Sequence, residues 1–114
     1  VPTNILRLLL EAGANPDVSD RDGRPILHKE VSEGGVEKVK LLLKHGADPN
    51  IRNDNGETTL HYALQPYNFD KKTVKILLQN GADPELKDQA GVTPMDIAEK
   101  RGDKDILKLL EDNE

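Results

Sequence analysis

The chain has 114 residues, of which 35% are apolar and 32% charged, and its formal net charge is −5 at pH 7. This length predicts one domain that can bury its own hydrophobic core. The chain has sixteen basic and twenty-one acidic residues. This excess of acidic residues argues against a protein that binds nucleic acid or anionic membranes through clusters of Lys and Arg.

The first predicted element is an amphipathic helix, and its motif occurs three times along the chain. The motif reads LRLLLEAG at residues 6–13, VKLLLKHG at 39–46 and VKILLQNG at 74–81. Apolar residues recur at i, i+3 and i+4, which predicts one apolar helical face. The Gly that closes each motif suits a left-handed cap, so each helix is expected to end there.

Two turn motifs follow these helices in the same register. The first reads GANPD from residue 13, GADPN from 46 and GADPE from 81, so the spacing is 33 and then 35 residues. The second reads DRDGRPILH at 20–28, NDNGETTLH at 53–61 and DQAGVTPMD at 88–96. Asp, Asn, Pro and Gly favour tight turns, and Thr93 followed by Pro94 is typical of a helix start. The repeating unit is therefore a turn, a short helix, a tight turn and a second helix.

Together these motifs resemble the ankyrin repeat family over the whole chain. The resemblance implies an all-α ankyrin-repeat solenoid of stacked helix-turn-helix units joined by β-hairpin-like loops. It treats residues 1–114 as a single domain, with a partial first repeat at 1–19, repeats at 20–52 and 53–87, and a C-terminal capping repeat at 88–114. It also implies a non-catalytic module for protein–protein interaction, and no nucleophile with a plausible base points to an enzyme.

The two ends of the expected stack differ in polarity. Glu111 stands where Leu43 and Leu78 stand in the inner repeats, and a polar residue there is typical of a capping repeat. The first helix instead carries a wide apolar surface that runs from Ile5 to Leu10. We expect further repeats or another segment of the parent protein to cover it. The alternative is that this helix ends the stack and tolerates exposure.

Repeat 20–52 departs from the family pattern at Glu30 and at the start of its first helix, where Pro25 occupies the Thr position and Ile26 the Pro position. Pro25 stands where Thr58 stands in the next repeat, so a capping hydroxyl is missing and local stability should fall. Glu30 occupies a position where the other repeats have Ala. We expect its carboxylate to be partly solvated or paired, with Lys29 or a residue of the first repeat as partner, because an unpaired buried charge is costly.

Repeat 53–87 contains two extra residues, which fall in the segment QPYNF at 65–69. Pro66 should end the preceding helix near Leu64 or Gln65. Asp70 can then cap the next helix.

All aromatic residues of the chain, Tyr62, Tyr67 and Phe69, lie in or near this insertion. The resemblance implies that Tyr62 faces the concave surface, and aromatic side chains dominate interface hot spots. We hypothesise that the cluster contacts a partner. The alternative is that Tyr67 or Phe69 packs over the helix ends, and for Phe69 packing is favoured.

Repeat geometry also predicts a row of loop tips and helix ends along one edge. The resemblance implies a structural role for His28 and His61, which would hydrogen-bond between neighbouring loops. The candidate partner-binding residues are Tyr62, Gln65, Tyr67 and Phe69, the loop residues Arg21, Asp22, Arg24, Asp54, Asn55 and Glu57, and the helix-end residues Glu33, Lys100 and Arg101.

The expected partner is another protein, bound by a monomeric chain that uses no nucleic acid, membrane, metal or cofactor. Two roles stay open, a scaffold or adaptor segment and a small inhibitor that occludes the active site of an enzyme. A protruding insertion can enter a cleft, which favours the inhibitor. The absence of Cys is compatible with any compartment, and we favour an intracellular one.

Overall fold

Short helices in two stacked layers build the fold. A computed structural model describes residues 2–65 and 69–112. Within these residues the helices are α1 (Thr3–Glu11), α2 (Ile26–Ser32), α3 (Val36–Lys44), α4 (Thr59–Ala63), α5 (Lys71–Gln79), α6 (Pro94–Arg101) and α7 (Lys104–Glu111). The first layer stacks α2, α4 and α6, and the second layer stacks α1, α3, α5 and α7. The expected all-α solenoid is confirmed, and it measures 41 × 26 × 24 Å.

Glycines end the helices of the second layer as the sequence predicts. Gly13, Gly46 and Gly81 have φ values of 96°, 95° and 96°. After α1 the amide of Gly13 donates to the carbonyl of Leu10, and the amide of the next residue donates to Leu9. This left-handed cap satisfies carbonyls that the helix end leaves open. The same pattern follows α3 and α5.

Capping residues start two of the three helices in the first layer. The hydroxyl oxygens of Thr58 and Thr93 accept hydrogen bonds from the amides of His61 and Asp96, and those two side chains accept from the Thr amides in return. These reciprocal pairs satisfy amides that the helix start leaves open. Pro25 makes no side-chain cap at the start of α2, so the missing hydroxyl expected from the sequence is confirmed.

The helices on either side of the insertion also end and begin as expected. α4 ends at Ala63, with Leu64 as its C-cap. The carboxylate of Asp70 accepts a hydrogen bond from the amide of Lys72 and so caps α5. The sequence predicts that Pro66 ends α4, but Pro66 itself lies outside the described residues.

Hairpin-like loops connect the second layer to the first. Isolated antiparallel bridges join Ser19 to Pro25 and Arg52 to Thr58. Inside each of the three loops one side chain accepts hydrogen bonds from two backbone amides, and these side chains belong to Asp20, Asn53 and Asp88. Such side-chain-to-backbone bonds hold a turn closed. We refer to the loops that contain Asp20, Asn53 and Asp88 as the first, second and third hairpins, respectively.

Equivalent leucines are buried inside the stack and exposed at its first helix. Leu42 of α3 is 1% exposed, whereas Leu9, at the same place in the motif, is 49% exposed and Leu8 is 61% exposed. The apolar surface that the sequence indicates on α1 is therefore present in the structure. Within residues 2–65 and 69–112, none of the helices combines the length and the apolar composition of a membrane span.

Candidate partner-binding surface

The tips of neighbouring hairpins contact each other and form one row. Nε2 of Gln89 donates to the carbonyl of Asp54 at 2.7 Å, and the amide of Gln89 donates to the carbonyl of Asn55 at 2.9 Å. On the other side, the Asp54 carboxylate lies against Gly23, where a Cβ atom would be 2.7 Å from Oδ2. The row is therefore continuous from the first hairpin to the third.

Most of the loop residues expected to bind a partner are exposed along this row. Within the first tip, Nε of Arg24 lies 3.1 Å from the Asp20 carboxylate, and another guanidinium nitrogen lies 3.9 Å from Asp22. The hydrogen bond from the Arg24 amide holds the pKa of Asp20 below its usual value. Glu57 is half-buried, and the exposed members of the set are Arg21, Asp22, Arg24, Asp54 and Asn55.

Two buried histidines tie the hairpins to the helices of the first layer. Nε2 of His28 donates to the carbonyl of Glu57, and Nε2 of His61 donates to the carbonyl of Val92, both at 2.8 Å. Each helix thus holds the hairpin of the following repeat, and the structural role expected for both histidines is confirmed. Burial lowers the pKa of His28 below its ordinary 6.5, because an imidazolium would lose its hydration, while the bond to Glu57 opposes this shift.

The second ring nitrogen of His28 finds its partner in the next repeat. Its Nδ1 lies 2.9 Å from the hydroxyl oxygen of Thr59. His61 instead bonds Thr58 of its own repeat, through the hydroxyl at 2.8 Å and the amide at 3.0 Å. Pro25, the equivalent of Thr58, offers neither a hydroxyl nor an N–H. Thr59 therefore replaces the missing partner from across the repeat boundary.

Tyr62 is half-buried between the second hairpin and α2. Nδ2 of Asn53 donates to its hydroxyl oxygen at 2.9 Å. Its ring centroid lies 4.7 Å from that of His28, and the ring packs against the core. Tyr62 therefore supports the hairpin from inside, and its contact with a partner stays a prediction.

Phe69 packs inward, which is the alternative favoured for it from the sequence. Its half-buried ring lies against the core. The guanidinium carbon of Arg101 sits 3.9 Å from the ring centroid, within the range of a cation–π contact. Tyr67 lies outside the described residues, so its role stays a prediction.

A groove of about 590 Å³ opens between the residues that directly follow α4 and the helix α6, beside the third hairpin, and we call it the groove between α4 and α6. Of its lining residues, Gln65, Lys100 and Arg101 are among the candidates from the sequence. Glu33 is exposed at the end of α2 and does not line this groove. Among the described residues, the groove is lined by Leu64, Gln65, Val92, Asp96, Ile97, Lys100 and Arg101.

The order of helices and hairpins agrees with a comparison against protein families. The model of the family described as ankyrin repeats (3 copies) matches residues 2–88 and residues 31–114. The chain belongs to the ankyrin repeat family. Ankyrin repeats are in general modules of protein–protein interaction and are typically non-catalytic. Among curated proteins, none matches this chain.

Within this ankyrin repeat stack, the prediction for the partner of Glu30 was wrong. Its Oε2 lies 3.7 Å from Nζ of Lys38 on α3, so the ion pair forms within one repeat and involves neither Lys29 nor the first repeat. Glu30 is 5% exposed, and its carboxylate lies against Gly35, where a Cβ atom would be 2.6 Å from Oε2. The absence of a side chain at Gly35 makes room for Glu30 at a position where the next repeat has Ala63.

Four residues that line the groove, Leu64, Val92, Asp96 and Ile97, are not among the candidates from the sequence. Each belongs to an ankyrin repeat motif or follows one directly, so the sequence indicates a packing or capping role for it. Their contribution to the groove depends on how α4 and α6 face each other. In the described part of the chain, no three His, Asp or Glu side chains come together as metal ligands would.

Proposed function

We propose that this ankyrin-repeat chain is a scaffold or adaptor segment that binds a protein partner through one surface. The surface consists of the three hairpin tips and the helices α2, α4 and α6, and we call it the hairpin surface. The observation that carries the proposal is the continuous contact between the tips, in which Gln89 bonds the second hairpin and Asp54 lies against the first.

Rigid backbone beneath exposed side chains supports this proposal. The hairpin carbonyls of Glu57 and Val92 are held by buried histidines of the preceding repeats. Side chains at the tips, such as Arg21 and Asn55, are exposed. A surface that is ordered before binding loses less conformational entropy when a partner docks. The charge along the tips changes from mixed at the first to acidic at the second, which suits a protein partner better than a phosphate backbone.

The inhibitor role stays a second prediction without a specific observation behind it. It depends on an insertion that enters the cleft of an enzyme. Phe69, the aromatic residue of the insertion that the structure describes, packs under Arg101. Scaffold or adaptor binding through the hairpin surface needs no such protrusion and is therefore the function we propose.

Capture of a partner by matched variants tests the proposal. The hairpin variant carries Arg21→Ala, Asn55→Ala and Lys100→Ala, and the control carries Lys40→Ala, Lys75→Ala and Gln79→Ala in the second layer. Each set removes two basic side chains and one amide, and all six residues are exposed. Circular dichroism first establishes that both variants fold.

We expect the wild-type chain and the control variant to retain the same protein from an extract of the source cells, and the hairpin variant to lose it. Loss by the control with retention by the hairpin variant would place the contact on the second layer and reject the proposal. Failure of the folded wild-type chain to retain any protein would also count against it.

A further inference from the structure

We infer that the groove between α4 and α6 binds an extended peptide segment of the partner that carries an Asp or Glu side chain next to an aliphatic one. This inference rests on the proposed function, because the groove is one part of the hairpin surface. It adds the chemistry of the segment that the groove recognises.

The floor of the groove is apolar and accepts an aliphatic side chain. Leu64 is fully buried beneath it, while Val92 and Ile97 are half-buried and border it. A volume of about 590 Å³ is within the range of pockets that hold small ligands or side chains. An aliphatic side chain on this floor would remove apolar surface from water, which favours binding.

The basic end of the groove supplies the positive charge that would attract the acidic side chain of the peptide. Lys100 is exposed and Arg101 is half-buried at the last turn of α6. Neither takes part in the ion pairs found within residues 2–65 and 69–112. Nε of Arg101 is buried there without a hydrogen-bond partner. Because this buried atom is closed to a docked peptide, the contact would be made by the terminal N–H groups of the guanidinium, for which a carboxylate is the strongest acceptor.

Phe69 holds the Arg101 guanidinium in place for this contact. The guanidinium carbon lies 3.9 Å from the ring centroid. A guanidinium stacked on an aromatic face keeps its N–H groups directed outward in its own plane, where a planar carboxylate can accept two of them. Phe69 is therefore a positioning residue, which acts on the peptide through Arg101.

The acidic lining residue sets the direction of the peptide. Asp96 lies in the first turn of α6 and accepts a hydrogen bond from the amide of Thr93 at 3.0 Å. Its carboxylate would repel an acidic side chain at that end of the groove. The acidic residue of the peptide is therefore expected over the last turn of α6, beside Lys100 and Arg101, and the aliphatic residue nearer to Val92.

Selection of short random peptides displayed on phage tests this inference. The folded full chain is immobilised, and enriched peptides are synthesised with a fluorophore for anisotropy measurements. We expect the enriched sequences to share an Asp or Glu within a few residues of Leu, Ile or Val. Binding should weaken as ionic strength rises, because part of the contact is between exposed charges.

Two charge variants locate the binding site of the selected peptide. Lys100→Glu should weaken binding by roughly tenfold or more, equivalent to about 1.4 kcal/mol. Lys75→Glu on α5 makes the same charge change on the other layer and should leave binding unchanged. Arg101→Gln should also weaken binding. If it lowers stability as well, Phe69→Tyr and Phe69→Leu separate the effects, since only the Tyr variant keeps the ring and should keep the affinity.

Three outcomes would overturn the inference: no enriched peptide, enriched peptides without acidic residues, or equal binding by Lys100→Glu and the wild-type chain. A basic consensus would instead show that Asp96 controls the groove. These outcomes do not test the proposed function, which is tested separately by the capture experiment. A chain that captures its partner through the hairpin surface while failing the peptide test keeps its function and loses only this inference.

Discussion

The hydroxyl oxygen of Thr59 lies 2.9 Å from Nδ1 of His28, across the boundary between two repeats. Both residues are 0% exposed. Because Nε2 of His28 donates to the carbonyl of Glu57, Nδ1 of the neutral ring is an acceptor and Thr59 is the donor. A side-chain hydrogen bond therefore couples α2 to the start of α4, in addition to apolar packing.

Removing the Thr59 hydroxyl should destabilise the fold. We expect Thr59→Val to lower the free energy of unfolding by about 1–3 kcal/mol, because the buried Nδ1 of His28 loses its donor while the shape is kept. Urea unfolding followed by circular dichroism measures this change.

A second substitution provides the rescue control for this effect. Pro25→Thr restores at α2 the arrangement that Thr58 and His61 form at α4, so it should recover part of the loss in the Thr59→Val background. Its effect in the wild-type chain should be smaller, because Nδ1 already has a partner. A Thr59→Val variant as stable as the wild type would contradict the account.

Acidification should destabilise the protein through His28. Burial lowers its folded-state pKa below the ordinary 6.5. Since the unfolded chain then takes up a proton at higher pH than the folded one, the stability is fully present above about pH 6.5 and is lost as pH falls from there towards the lowered folded pKa. Glu57, Thr59, His61 and Tyr62 are the polar or titratable neighbours of the ring on the elements around it.

Urea midpoints on either side of this window measure the effect, and an NMR titration of the imidazole assigns it. We expect the His28 ring to titrate below its ordinary value. A His28 pKa at or above 6.5 would contradict the prediction. The lowered pKa of Asp20 acts only at more acidic pH, below its ordinary 3.8, and does not affect this window.

Substitution of hairpin glycines should reveal contact between neighbouring tips. Gly56 and Gly91 occupy the same hairpin position with φ of 75° and 80°. A Cβ at Gly56 would lie 3.1 Å from the amide nitrogen of Gln89, whereas Gly91 has nothing within 4 Å. Gly91→Ala should cost about 1–2 kcal/mol from backbone strain alone. Gly56→Ala should cost at least about 1 kcal/mol more, because the third hairpin must shift.

Thermal and urea unfolding of the two glycine variants make this comparison at matched backbone strain. Equal losses of stability for Gly56→Ala and Gly91→Ala would mean that the second and third tips do not pack closely against each other.

The Glu30–Lys38 pair should behave as a coupled unit. Lys38→Met should lower stability by about 1 kcal/mol or more, because the nearly buried carboxylate loses its counter-charge. Glu30→Ala should change stability by less, since Ala63 occupies this position in the next repeat. In the Glu30→Ala background, Lys38→Met should have almost no effect. A double-mutant cycle with no coupling would contradict this.

Features that depend on a few adjacent residues could be predicted from the sequence. Gly46 ends α3, Asp70 caps α5, and Thr93 with Pro94 starts α6, because turn and cap chemistry acts over one helical turn. The repeat period then predicts that the helices stack, and the structure and the family match agree.

Contacts between helices could not be predicted in the same way. The bond from Thr59 to His28 and the pair of Glu30 with Lys38 require the distance between neighbouring helices, which a repeat period does not supply. The stacking of Arg101 on Phe69 depends in addition on the path of the two-residue insertion. The groove between α4 and α6 could not be predicted from the sequence, because it also depends on the distance between helices and on the path of the insertion.

Site-specific photo-crosslinking of the chain to its captured partner tests most directly the claim that binding occurs on the hairpin surface. A photoreactive phenylalanine analogue is placed at Asn55, exposed on the second tip, and in a separate control at Gln79, exposed on α5 in the second layer. We expect a covalent adduct with the partner from Asn55 and none from Gln79. An adduct from Gln79 without one from Asn55 would contradict it.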